Sequence, residues 1–163
     1  MLLILVLLFL ACSPVAQASM SACDMTDGQP LLFGTARDQN TDELIYCEYY
    51  FATTAAQQFV VEYRLSDARL IARKQLDFLI DPLAPRVIQE DFRRGELRAV
   101  ERLTATQLSV SYRPTVNDAT RQQTLNLDGI VVVDAGFDQA VKQYWQRLLE
   151  GEKMLSNLSH PFI

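Results

Sequence analysis

Between Glu43 and Leu127 apolar side chains recur at every second position in one run after another. This period of two commits the stretch to β-strands. Gln58–Leu65 is the cleanest instance: Phe59, Val61, Tyr63 and Leu65 share one face, and Glu62 and Arg64 lie opposite. A tight Ser66-Asp67 connection follows. Arg69–Ile80 then carries Leu70, Ala72, Leu76 and Phe78 on its apolar side, interrupted by Lys74, so the two runs predict a hairpin. Upstream, Glu43–Phe51 predicts a strand with Ile45, Cys47, Tyr49 and Phe51 on one face and Leu44, Tyr46, Glu48 and Tyr50 on the other. Both faces are apolar, so one is expected on the core and the other against a helix, a ligand or a partner. Downstream, Asp81-Pro82 and Ala84-Pro85 mark a break, Arg86–Phe92 predicts a short strand, and Arg94-Gly95 a turn. Leu97–Leu103 and Gln107–Arg113 predict a second hairpin, ended by Pro114. Thr120–Leu127 predicts one more strand, followed by the turn signature Asp128-Gly129 and the apolar run Ile130–Val133.

After Asp134-Ala135-Gly136 the period changes. Phe137, Ala140, Val141, Tyr144, Trp145, Leu148 and Leu149 fall at helical spacing and form one apolar stripe. Asp134 and Asp138 flank the helix start and read as capping residues. Asp138 and Arg147 match the helix dipole, and Gly151 is placed to end the helix. A stripe containing Tyr144 and Trp145 is expected to pack on the sheet or plug the end of a curled one. The expected fold is therefore mainly β (α+β). It is an antiparallel curved sheet or partial barrel of about seven strands, with one amphipathic helix near the C-terminus over about residues 136–150.

The N-terminus reads differently. Leu2–Leu10 is wholly aliphatic or Phe, too short to span a bilayer, and Pro14 and Ala16-Gln17-Ala18 follow it. This is an apolar core plus a small-x-small cleavage site, although only the α-amino group charges its front. Residues 1–18 are thus expected to be a signal peptide cut between Ala18 and Ser19, giving a periplasmic or secreted protein. The alternative uses Phe9-Leu10-Ala11-Cys12, which approaches a bacterial lipobox. Lipidation of Cys12 would anchor the chain to the envelope and is the one route to membrane contact. Residues 19–42 read as a polar, turn-rich leader in which Leu31-Leu32-Phe33 is the one stretch able to form a short strand, and residues 43–163 as the β-rich domain. Cleavage after Ala18 leaves Cys23 and Cys47, an even pair suited to a disulfide in an oxidising compartment. The other reading makes Cys47 a small buried apolar residue and Cys23 a free thiol. There is no CxxC motif, and the ligands of a structural zinc site are missing.

The run Val133-Asp134-Ala135-Gly136-Phe137-Asp138, followed by Trp145, Leu148-Leu149 and Gly151-Glu152, resembles a family of uncharacterised exported proteins of Gram-negative bacteria. So do Ala72–Phe78 and the aromatic strand Tyr46–Tyr50, and the resemblance covers roughly residues 43–152. It implies export and a β-rich fold, and it brings no activity. Members of that family continue with further strands after the helix, which implies that this chain is a C-terminally truncated member.

Chemistry is sparse. The formal net charge of −5 argues against nucleic acid. The densest arginine stretch, Arg86, Arg93, Arg94, Arg98 and Arg102, is interleaved with Glu90, Asp91, Glu96 and Glu101. It reads as a mixed, solvated surface, with an anion site as the alternative. His160 is the only histidine and stands beside Pro161, a poor setting for a catalytic base or metal ligand. No GxSxG, P-loop or GxGxxG occurs, and no cofactor or metal site is expected. Glu90 and Asp91 fall on opposite strand faces, and Asp77 and Asp81 read as turn formers. Asn157 begins a glycosylation sequon relevant only to a eukaryotic secretory pathway. Tyr46, Tyr50, Phe59, Tyr63 and Trp145 are the candidate cavity-lining residues, set against ordinary core packing. The leading expectation is a non-enzymatic exported protein that binds a lipid-like, apolar or amphipathic ligand in its curved sheet or acts as a cell-envelope accessory. The alternatives are an envelope protein-interaction module and a hydrolase using carboxylates such as Asp77, Asp81 and Asp134.

Overall fold

The computed structural model describes Cys23 and residues 28–152. Cys12, the Ala18–Ser19 junction, Asn157 and His160 lie outside the described residues. Eight strands form one antiparallel sheet in strict chain order: β1 (Leu32–Arg37), β2 (Leu44–Ala52), β3 (Gln58–Arg64), β4 (Leu70–Asp77), β5 (Arg86–Asp91), β6 (Glu96–Thr104), β7 (Gln107–Arg113) and β8 (Arg121–Asn126). β1 and β8 are its two edges, and the sheet is not closed. The two expected hairpins are β3–β4 and β6–β7. The strand beyond the expected seven is β1, drawn from the segment read as a leader. Gly34, Ala36 and Arg37 weaken its alternation, and pairing with the aromatic β2 supplies the order that its own sequence lacks.

Register divides the core face of the sheet into rows. Phe59, Leu76, Val87, Val100 and Val110 stand side by side across β3 to β7, a continuous apolar row. The next row runs Tyr50, Val61, Lys74, Gln89, Arg98, Tyr112 and Arg121. The third is Glu48, Tyr63, Ala72, Asp91 and Glu96. The face thus grades from apolar at one end to charged at the other.

The apolar row is covered by the chain itself. Val131 and Val133 from the segment after β8, and Ala84 from the β4–β5 connection, join it in one buried cluster. Ile130–Val133 is therefore not a strand of the sheet but a strap across it. The strap is held where the Val133 N–H donates to the Leu83 carbonyl oxygen at 2.9 Å. Gly136 sits so close that a Cβ there would stand 2.0 Å from the same oxygen, which is why a glycine occupies the position. On the opposite face, Cys23 and Cys47 are joined by a disulfide with Cα atoms 5.7 Å apart. Tyr49 donates its hydroxyl to the Cys23 carbonyl at 2.6 Å, so the staple and the strand close a second, smaller core.

Helix α1 (Gly136–Leu149) follows the strap. Asp138 lies in its first turn and Arg147 in its last. Gly151, at φ 79°, ends it with Gly151 N–H to Leu148 O and Glu152 N–H to Arg147 O, a Schellman pattern. Two expectations fail here. Asp134 does not cap: the N-cap residue is Ala135 and has no side-chain cap, because the Asp134 carboxylate is drawn away to Lys74. Nor does most of the apolar stripe pack. Only Gly136 and Ala140 are buried, while Phe137 is 54% exposed, Trp145 51% and Leu149 64%. The strap takes the apolar row that the stripe would have needed.

Candidate functional site

Three places gather chemistry. The first is a polar cluster on the core face at β2–β4. Glu48 accepts the Tyr50 hydroxyl at 3.1 Å and is also a hydrogen-bond partner of Tyr63. Burial first, and then the Glu48 charge, push both phenols above the ordinary tyrosine value, so they remain protonated donors. Lys74 lies 5.8 Å over the Tyr63 ring and binds both Asp134 oxygens, at 2.8 and 2.9 Å. Asp134 itself holds a left-handed φ of 46°, costly for a non-glycine residue and kept by that ion pair and by its contact with Ala135 N–H. The lysine that interrupts the apolar side of β4 was the sequence signal for this cluster. Glu48, in an otherwise aromatic strand, was the second.

The second place is the bare face of α1, where Phe137, Trp145, Leu148 and Leu149 meet solvent. The third is a cleft of about 480 Å³ at the charged end of the core face, lined by Gln89, Asp91, Arg93, Arg94, Glu96 and Arg98. It falls within the arginine-rich stretch.

The five candidate cavity residues do not share one environment. Phe59 packs on the main core and stacks edge-on against Phe78, with ring centroids 5.9 Å apart. Tyr50 and Tyr63 also pack on that core, and Tyr46 meets Tyr63 edge-on at 5.6 Å. Trp145 stands apart on the helix. The cavity beside Phe59 and Leu76 is only about 90 Å³, too small for a lipid-like molecule, since such sites run to about 300 Å³ or more.

The carboxylates have structural partners. Asp77 accepts Gln58 Nε2 and Leu79 N–H, Asp81 accepts Leu83 and Ala84 N–H and pairs with Arg102, and Asp134 pairs with Lys74. Glu90 and Asp91 fall on opposite faces, as their register with Arg73 and Ala72 requires. Among the described residues no group of three or more His, Cys, Asp or Glu is arranged to hold a metal, and no helix is long and apolar enough to cross a membrane.

No profile of a known protein family matches the chain, and no curated protein or solved structure is measurably similar to it.

Proposed function

We propose that this chain is an exported, non-enzymatic binding protein of the cell envelope, and that the exposed face of α1 is where it takes an apolar or amphipathic ligand. The observation that carries the reading is the solvated stripe of Phe137, Trp145, Leu148 and Leu149 on a helix that its own sheet does not cover. The apolar row of the sheet already has an occupant in the strap, so the ligand surface moves from the sheet to the helix. The N-terminal apolar run, the Cys23–Cys47 bridge and the resemblance to exported proteins support the compartment.

Trp145 is the only tryptophan, so its fluorescence reports on this face alone. Titration with monomeric lysophosphatidylcholine is expected to shift its emission to the blue, and Leu149→Asp to abolish the shift. Emission that stays that of a solvated indole, with no lipid-like species retained in native mass spectrometry, defeats the reading.

A second reading, an envelope protein-interaction module, is favoured by β1. Leu32 and Phe33 are more than half exposed on an edge strand whose outer side pairs with no strand among the described residues. A photo-crosslinker at Phe33 is expected to give one discrete adduct in envelope extracts, lost when Thr35→Pro removes an edge N–H, since Thr35 stands opposite Cys47 in a pair whose N–H groups point away from each other. A diffuse smear indifferent to Thr35→Pro counts against it. Intact mass of the mature protein separates a soluble chain starting at Ser19 from one lipidated at Cys12.

A further inference from the structure

The arginine cleft at the charged end of the core face has features that the α1 reading does not use. Asp91 and Glu96 stand directly opposite each other across the β5–β6 hairpin, on the same face, and their side chains are only 15% and 13% exposed. Like charges so placed repel and destabilise a hairpin. Each is neutralised by an arginine two residues further on. Arg93 reaches Asp91 through Nε at 3.0 Å and a terminal nitrogen at 2.5 Å, and Arg98 reaches Glu96 through Nε at 2.6 Å. The Arg93 hydrogen bond holds the Asp91 carboxyl below the usual aspartate range, so this pair is ionised and mutually compensated.

Arg94 is then the surplus charge. It makes no ion pair among the described residues, and it leaves the cleft with one net positive charge in a chain of net −5. Its backbone is fixed from two sides. The Arg94 carbonyl accepts the Val116 N–H at 3.2 Å, and the next carbonyl, Gly95, accepts Arg113 Nε at 3.2 Å. Gly95 has φ 72°, and a Cβ there would stand 2.7 Å from the Val116 Cβ, so the turn and the β7–β8 loop are in direct contact. Arg121 lies on the same face, two strands from Arg98, with Tyr112 between them in register. Guanidinium groups oriented by carboxylates, around an open cleft and on a fixed turn, suit a tetrahedral oxyanion that accepts paired N–H bonds.

We propose that this cleft binds a phosphoryl anion, with Arg94 as the principal ligand and Arg93 and Arg98 as flanking ones positioned by Asp91 and Glu96. The chemistry is shared by free phosphate and by the phosphate of a lipid headgroup. The proposal does not rest on the α1 reading.

The test is a titration of the mature protein with inorganic phosphate, followed through the Nε–Hε resonances of its arginines, with chloride at matched ionic strength as control. Saturable shifts at Arg93, Arg94 and Arg98 are expected. Arg94→Gln, whose side chain has no ion pair to lose, is expected to weaken binding at least about tenfold with an unchanged unfolding midpoint. A second arm measures co-sedimentation with phosphatidylglycerol vesicles against neutral glycolipid vesicles, again with Arg94→Gln. Binding to phosphate alone assigns a free anion, and Arg94-dependent binding to vesicles assigns a headgroup. No saturable shift and no Arg94-dependent sedimentation overturns the proposal, as does binding that Arg94→Gln leaves intact. A lost phosphate response with a retained Trp145 shift removes this site and leaves the helix reading standing.

Discussion

The strap and the helix are consecutive in the chain and similarly apolar, yet their fates are opposite. Val131, Val132 and Val133 are 6%, 3% and 5% exposed, whereas Phe137, Trp145 and Leu149 are all more than half exposed. Hydrophobicity alone does not separate them, for the helix carries the larger aromatic groups. What the strap has is anchorage on both sides: the Val133–Leu83 hydrogen bond, the close approach of Gly136 to Leu83, and the Lys74–Asp134 pair. A buried site on an open sheet goes to whichever segment can satisfy its backbone and charges there, and the strap does so first.

The difference can be broken from the strap side. Gly136→Ala forces a methyl group into the Leu83 carbonyl and is expected to cost about 3 kcal/mol in denaturant unfolding, the upper end for overpacking. A cost under about 1 kcal/mol would mean that the anchor is loose. Lys74→Met removes a cation 11% exposed and leaves the Asp134 carboxylate alone in a strained conformation. An expected loss of about 2 kcal/mol, largely recovered when Asp134→Gly is added, would identify the pair as a clamp and not as a surface bridge.

Acid probes the other end of the core face. The folded Asp91 has its pKa lowered by Arg93, so its contribution is fully present above the ordinary aspartate value and is lost as pH falls through the lower folded value. Unfolding midpoints are expected to fall below about pH 4, and Asp91→Asn to flatten that limb. The smallest effect belongs to the helix: Trp145→Ser is expected to change stability by no more than about 0.5 kcal/mol, because a half-exposed side chain has little packing to lose. A larger loss would show that the stripe is covered in solution.

The strands were legible because their faces differ. Gln58–Leu65 and Gln107–Arg113 alternate cleanly; the second is a strand with those bounds, and the first is a strand that ends one residue sooner, at Arg64. The helix was legible for the same reason at a different period, and Gly151 ends it as expected. β1 was only half visible, because a strand with Gly34 and Ala36 on one face owes its form to its neighbour. Where the helix stripe goes was not legible, since amphipathicity states what a helix needs and not whether the space is already filled. The polar cluster was legible in part. Lys74 stands out among apolar neighbours, but its partner lies 60 residues away and no local pattern joins them. The arginine stretch read as a mixed, solvated surface, and sequence alone cannot show that Asp91 and Glu96 face one another within it.

Strict chain order in the sheet has a kinetic consequence. Each strand pairs with the one made just before it, so most of the molecule is assembled through short loops, and such topologies fold quickly. A chain threaded from its N-terminus would find every partner already in place, strand by strand. The strap breaks this rule: its contacts with Leu83 and Lys74 close loops of 50 and 60 residues. Until residues 131–134 emerge, the row from Phe59 to Val110 lacks the cover of the strap. The growing sheet therefore passes through a stage in which its stickiest surface is open, and a chaperone acting on this protein would find its substrate there.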